Sequence, residues 1–309
     1  MSKTLSWNYY QQHCLQMPEL GMSIDTSKMN APDKLPDSLK AKFSVAFKQM
    51  QELEKGSIAN PDENKMVGHY WLRNPTLAPT EKIQTQINST LDKIQEFVTD
   101  VHQKKIRPQK AIQFRNVLSL GMGGSALGPQ LINSALGPQN ESMRFYFLDN
   151  TDPEGIDRVI ASIDTGLAET LILIISKSGS TVETRNSMIE VREYYRKVGL
   201  DFARHAVAIT RENSQLAQLA SKENWLACFP MWDWVGGRTS ILSAVGLLPA
   251  ALLGENVSSI LKGAKIMDEL TKCTKIKENP AAILAWMLHH AGEDKGKKSM
   301  VILPYKDRL

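Results

Sequence analysis

Two hydrophobic periods alternate along this chain, and they predict its elements. Between Asp37 and Glu54 the apolar residues Leu39, Phe43, Ala46, Phe47, Met50 and Leu53 fall at spacings of three and four. That is the face of an amphipathic helix, with Asp37 or Ser38 as its cap. Ile83, Ile87, Leu91, Ile94 and Val98 repeat the pattern over 80–102, where Thr80, Glu81 and Lys82 form the start. The stretch between these helices carries Pro61, Gly68, Pro75 and Pro79 and reads as loop. Within it, His69-Tyr70-Trp71-Leu72-Arg73 reads as a set of aromatic anchors pinning the loop to the core. Residues 1–35 show no repeat and no period.

From Asn116 the pattern changes. Short apolar runs at 116–122, 144–149, 170–176, 205–210 and 225–231 alternate with helical spacing at 125–136, 153–163, 181–198 and 212–222. Strands read as continuous apolar runs when both faces are buried. Strands separated by crossover helices give a parallel α/β sheet with helices on both sides. Ligands of such sheets bind beyond the carboxyl ends of the strands. The remainder, 236–309, is predicted to be mostly helical. Its segment 278–293 forms a helix capped by Asn279 with Pro280 at the first position, and Met300–Leu303 forms a strand stopped by Pro304.

Composition narrows the classes. The 309 residues are 42% hydrophobic and 23% charged, enough for one large or two ordinary cores. A net charge of +4, from 37 basic and 33 acidic residues spread along the chain, gives no reason to expect nucleic acid. Cys14, Cys228 and Cys273 make no CxxC pair, which suggests a reducing, cytoplasmic setting and no disulfide framework. The N-terminus lacks an apolar signal core, and no run is long and apolar enough for a membrane span.

Three turns carry the candidate chemistry. After the run Thr170–Ser176 come Lys177, Ser178, Gly179, Ser180 and Thr181, then a helix start. Free N–H groups, the helix dipole and small hydroxyls together suit an anion, and Gly179 lets backbone come close. The alternative is an ordinary Ser/Thr cap on a crossover helix. The second turn, GMGGSALGP (Gly121–Pro129), satisfies the letter of a dinucleotide fingerprint, with Asp149 ending the next strand. Asp149 lies 28 residues after Gly121, beyond the usual ~20, and a second anion loop fits a compact phosphorylated metabolite better. An NAD(P)-dependent oxidoreductase and a purely structural use of the glycines stay open at this point. The third turn, DWVGGRTSILSAVG (Asp233–Gly246), places Arg238 after Gly236-Gly237, able to hold negative charge or to sit at the surface. Thr239 and Ser240 can cap the apolar helix beyond them. Glu183, in a first helical turn, reads as structural rather than as a base. His289 and His290 are adjacent in sequence and do not make a metal pair.

GMGGSALGP, SKSGSTVET and DWVGGRTSILSAVG, in this order, resemble the motifs of the phosphoglucose isomerase family. ANPDENKMVGHYWLRNP and LPYKDRL are similar to stretches of its bacterial members. The resemblance implies a sugar-isomerase (SIS) domain, a five-stranded parallel sheet flanked by helices, with a helical N-terminal region before it. It implies a division into 1–110, the helical region; 111–235, the first SIS domain; and 236–309, a helical linker and the start of a second SIS domain. The implied activity interconverts glucose 6-phosphate and fructose 6-phosphate without metal or organic cofactor, in a cytoplasmic homodimer. Carried over by position, Ser176, Lys177, Ser178 and Thr181 bind phosphate. Gly124, Ser125 and Gly237 line the sugar site, and Arg238 stabilises the enediolate. Family members continue past LPYKDRL, and their proton-moving glutamate, ring-opening histidine and late lysine have no counterpart here. The resemblance is therefore to the N-terminal part of an isomerase. A sugar-phosphate-binding module without turnover is the expectation that competes with it.

Overall fold

The computed structural model describes residues 7–32, 34–137, 143–293 and 299–305. Helix α1 (Trp7–His13) leads into an antiparallel hairpin of β1 (Cys14–Met17) and β2 (Met22–Asp25), turned at Gly21, where φ is +60°. Only Met17 of these strands is buried, so no alternation marks them in the sequence. Helix α2 (Asp37–Glu54) begins after Pro36, so Asp37 lies inside the first turn and does not cap it. A small hairpin, β3 (Ile58–Asn60) and β4 (Lys65–Met66), interrupts the loop region. Trp71 and Leu72 are buried as expected, and the Trp71 indole N–H donates to the Glu54 carbonyl at 2.8 Å. Helix α3 (Glu81–His102) is capped by Thr80, whose Oγ1 accepts the Ile83 N–H.

The five expected strands form one parallel sheet. They are β5 (Asn116–Gly121), β6 (Arg144–Leu148), β7 (Thr170–Ser176), β8 (Ala206–Thr210) and β9 (Ala227–Pro230), in the order β6-β5-β7-β8-β9. Helices α4 (Gly124–Leu136), α5 (Pro153–Ile163), α6 (Val182–Lys197) and α7 (Gln215–Lys222) make the crossovers. Helix α7 starts three residues later than its pattern predicts because Ser214 caps it, accepting the Ala217 N–H at 3.0 Å. Every residue of β5, β7 and β8 is buried, which explains why their apolar runs do not alternate.

Alternate residues serve opposite faces. Val117, Leu171, Leu173, Ile175, Val207 and Ile209 pack against α3 and α8 (Ala244–Leu252). Leu118, Leu120, Ile172, Ile174 and Ala208 pack against α5, α6 and α7 through Ile156, Met188, Val191, Tyr195 and Leu216. All nine residues of α8 are buried, and its cap is Ser243. Thr239 and Ser240 lie instead in a 3-10 turn, Gly237–Leu242, where their hydroxyls donate to Gly236 and Gly237 carbonyls. Helices α9 (Val257–Thr271) and α10 (Pro280–Glu293) complete the chain, α10 capped by Asn279 as its sequence predicts. The buried Asp268 of α9 accepts from Arg73 at 2.7 Å and Lys272 at 2.9 Å, fastening the 69–73 segment to that helix. Met300–Leu303, expected as a strand, is exposed and outside any strand. A strand needs a neighbour for its ladder, and none of the described residues pairs with this segment.

Inside the sheet, His205 is fully buried and its Nδ1 meets the Thr170 carbonyl at 2.9 Å. Burial holds its imidazole below the ordinary histidine range, with the nearby Arg204 charge adding to that and the Thr170 bond opposing it. The unfolded chain therefore binds this proton more readily than the folded one. The contribution is fully present above the ordinary imidazole range and is lost as pH falls through the depressed folded value. Urea unfolding at about pH 7.5 and about pH 5 is expected to show a smaller stability loss for His205→Leu than for the parent chain. Equal losses would show that His205 does not titrate against folding. The Thr170 carbonyl keeps the Tyr195 hydroxyl as a donor in that variant.

Candidate functional site

The strand order reverses between β5 and β7. These neighbours send α4 and α6 out on opposite faces of the sheet, which leaves a crevice at their carboxyl ends. All three candidate turns come to this end. Gly123 has φ +53°, and the chain then brings Gly124 directly onto the third turn. A Cβ on Gly124 would lie 2.1 Å from the Gly237 carbonyl oxygen and 2.8 Å from the Arg238 nitrogen. Backbone thus rests on backbone, and glycine is required there.

The second side of the crevice is the 176–181 loop. Ser176 is buried, and its Oγ donates to Thr181 Oγ1 at 3.0 Å while accepting the Gly179 N–H at 3.2 Å. Ser178 Oγ accepts the Ser180 N–H at 3.2 Å and the Ser180 hydroxyl at 3.1 Å. Gly179, at φ +70°, passes against Ser214, where a Cβ would meet Ser214 Oγ at 2.8 Å. Thr210 supports the loop from below, donating to the Ser176 carbonyl at 2.6 Å and pairing with Ser214 Oγ at 2.8 Å.

Helix starts differ in a way that bears on chemistry. Side chains of Thr80, Asp152, Ser214, Ser243, Asn256 and Asn279 cap α3, α5, α7, α8, α9 and α10. The caps of α4 and α6, Gly123 and Thr181, give no such bond. In α6 the first backbone bond runs from the Arg185 N–H to the Thr181 carbonyl. The N–H groups of Val182, Glu183 and Thr184 have no acceptor among the described residues. This set of free donors, at the positive end of a helix and ringed by hydroxyls, suits an anion.

The charged groups divide sharply. Arg238 is exposed in its 3-10 turn and makes no ion pair among the described residues. Lys177 points away from the hydroxyl ring, its Nζ donating to the Val235 carbonyl at 2.7 Å and the Asp233 carbonyl at 3.0 Å. Burial lowers its pKa, against the pull of the Asp233 carboxylate. Asp233 is half exposed and 3.5 Å from Arg211 Nη1, and Glu183 is exposed on the first turn of α6. Asp149 Oδ2 accepts from Gln130 Nε2 at 2.8 Å. Sequence reading missed Thr210 and Ser214, which have no motif of their own, and the carbonyl partners of Lys177, which have no side-chain signature. A cavity of about 1280 Å³ lies beyond β8 and β9, lined by Thr210, Arg211, Asn213, Phe229, Trp232 and Asp233 and by no residue of the 176–181 loop.

The fold is that of a doubly wound α/β protein of the sugar-isomerase type, with a crevice at its switch point. The model of the family described as phosphoglucose isomerase matches residues 24–309, and the chain belongs to that family. It is 52% identical over 309 residues to a glucose-6-phosphate isomerase of Cyanothece sp., covering 100% of this chain and 58% of the relative. It is 53% identical over 305 residues to the chloroplastic glucose-6-phosphate isomerase 1 of Arabidopsis thaliana, covering 98% and 50%. The crystal structure of a glucose-6-phosphate isomerase from Chlamydia trachomatis is similar at a TM-score of 0.79 and 26% identity, over 93% of this chain and 55% of that one. The chain thus spans 58% and 50% of the length of the two curated relatives.

The Gly124 contact yields a test with an internal control. Alanine in a helix is ordinarily favoured over glycine by up to about 1 kcal/mol. Gly124→Ala is expected to reverse that sign and destabilise by about 1–3 kcal/mol, because two backbones must separate. Gly263→Ala in α9, with open space around its Cβ, is expected to stabilise. Urea midpoints read both, and a stabilising Gly124→Ala would contradict the contact.

Proposed function

We propose that this chain is the phosphate-gripping and charge-stabilising portion of an isomerase that interconverts glucose 6-phosphate and fructose 6-phosphate through an enediolate. The observation that carries the reading is the uncapped start of α6 beneath a ring of hydroxyls, at the crevice where Gly124 meets Gly237. Membership of the phosphoglucose isomerase family supports it.

In this reading the phosphate lies over α6, held by the hydroxyls of Ser176, Ser178 and Thr181 and by first-turn N–H groups. A dianion gains there from the helix dipole as well as from each bond. Gly124, Ser125 and Gly237 line the sugar, their lack of bulk bringing backbone close to it. Arg238 supplies a fixed positive charge near the carbons where the enediolate develops, and such preorganised charge is worth most in a site shielded from water. Lys177 serves the site from its carbonyl partners. No metal or organic cofactor is required by this chemistry, and the setting is cytoplasmic.

The proton still has to move between C2 and C1. Glu183 would sit beside bound phosphate, where like charge repels it, and Asp233 faces Arg211. Neither suits the task, so the base belongs to the remainder of the family's length. General base catalysis typically contributes ~10²–10⁴-fold. The chain alone is expected to bind glucose 6-phosphate weakly and isomerise it negligibly. Supplying the rest of the family's length, fused or in trans, is expected to restore turnover in a coupled assay. Robust turnover by this chain alone would place the base within it.

Binding tests the phosphate loop directly. A hydrogen bond to a charged group contributes roughly 1.5–3 kcal/mol. Ser176→Ala or Thr181→Ala is therefore expected to weaken glucose 6-phosphate binding about ten- to hundredfold by calorimetry, with inorganic phosphate competing. Equal affinity for glucose and glucose 6-phosphate would overturn the assignment of this loop.

A further inference from the structure

Lys177 is the residue whose structural use differs most from its sequence context. It sits between Ser176 and Ser178 of the hydroxyl ring, yet its ammonium leaves that ring and joins two carbonyls of another segment. Those carbonyls, Asp233 and Val235, flank Trp234. The Trp234 carbonyl accepts the Gly68 N–H at 2.7 Å, so 233–235 is gripped both by the loop before α3 and by Lys177. The Trp234 ring packs on Trp71 and Trp232, with centroids 5.3 Å and 4.8 Å away, so the segment between the two carbonyls is itself immobilised.

Beyond Val235 the chain is flexible by composition. Gly236 and Gly237 lead to Arg238, and the tight backbone contact in this pair is that of Gly237 against Gly124. The position of the Arg238 backbone is thus set from two ends, by Gly124 on one side and by the fastened Asp233–Val235 stretch on the other. An ammonium is well suited to that fastening, since its three donors satisfy two carbonyls at once and it carries no acceptor of its own. The Arg211 N–H, donating to the Lys177 carbonyl at 3.1 Å, fixes the Lys177 backbone in turn.

We propose that Lys177 is a positioning residue: by bonding the Asp233 and Val235 carbonyls it ties the phosphate loop to the Gly-Gly-Arg turn and sets where Arg238 stands. Its ammonium does not grip the phosphate; it makes the placement of Arg238 depend on the state of the phosphate loop. The inference deepens the proposed function and rests on it where sugar phosphates are concerned, but the tether itself is a property of the chain without ligand.

The test uses Lys177→Met in the 309-residue chain and two kinds of readout. Amide hydrogen exchange without ligand reads the tether: exchange at 235–239 is expected to rise about tenfold or more in the variant, since removing a tether lowers the local opening free energy. Unchanged exchange there would overturn the proposal. Calorimetry reads the consequence with two probes, inorganic phosphate and a five-carbon sugar-acid phosphate whose carboxylate mimics the enediolate. Phosphate affinity is expected to stay within about threefold of the parent. The affinity advantage of the mimic over glucose 6-phosphate is expected to fall as far as in Arg238→Ala, with no further loss in the double variant. A tenfold or greater loss of inorganic phosphate binding would make Lys177 a direct phosphate ligand and overturn the proposal, as would an intact preference for the mimic. If the parent chain bound neither probe, the proposed function would fail while the exchange result still decided the tether. Lys177→Gln, which keeps an N–H donor on a shorter stem, is expected to fall between parent and Met variant in exchange, and it serves if the Met variant does not fold.

Discussion

Gly124 has no room for a methyl group, because the Gly237 carbonyl occupies the space a Cβ would fill. This approach of two backbones joins the second and third turns, which lie more than a hundred residues apart in sequence. It is possible because β5 ends beside β7 and because Gly123 turns the chain with a positive φ into α4. The Arg238 turn then stands at the crevice between α4 and α6. Without the contact the central strands β5, β7 and β8 would keep their buried faces. The Arg238 turn would lose its fixed place.

The polar groups around this contact follow one economy. Hydroxyls that could have capped α6 bond to one another, leaving the helix's first N–H groups for something else. The lysine in the same loop is committed to carbonyls, and the arginine beyond the double glycine makes no ion pair among the described residues. Donors held in place before a ligand arrives need not be reorganised when charge develops, which is the main route by which fixed dipoles and cations lower a barrier.

Much of this was legible from residue order alone. Continuous apolar runs marked the strands because a sheet covered on both sides leaves few polar positions. Helix α2 was legible from its spacing alone, α3 from spacing and its Thr80 cap, α10 from its Asn279 cap, and the three turns from their glycines and hydroxyls. The N-terminal hairpin was not, since only Met17 in it is buried and no period survives. Thr239 and Ser240 looked like caps, but the chain needs one more turn before α8 and Ser243 takes that place. Met300–Leu303 has strand composition, yet strand formation depends on a neighbour that composition does not reveal. Lys177 shows the same limit at the site: the resemblance puts it among the phosphate ligands, and nothing in the residue order announces that its ammonium bonds backbone carbonyls of Asp233 and Val235.

In the proposed function the crevice between β5 and β7 holds the anion. Backbone amide resonances report on it directly, because a bound phosphate shifts the N–H groups that donate to it. Titrating the chain with glucose 6-phosphate is expected to move Gly124, Ser125 and the amides from Ser178 to Thr184 most, with inorganic phosphate reproducing the 178–184 shifts. Shifts concentrated instead at Arg211, Asn213 and Trp232, beyond β8 and β9, would contradict an anion site between β5 and β7 and place the ligand in the neighbouring cavity.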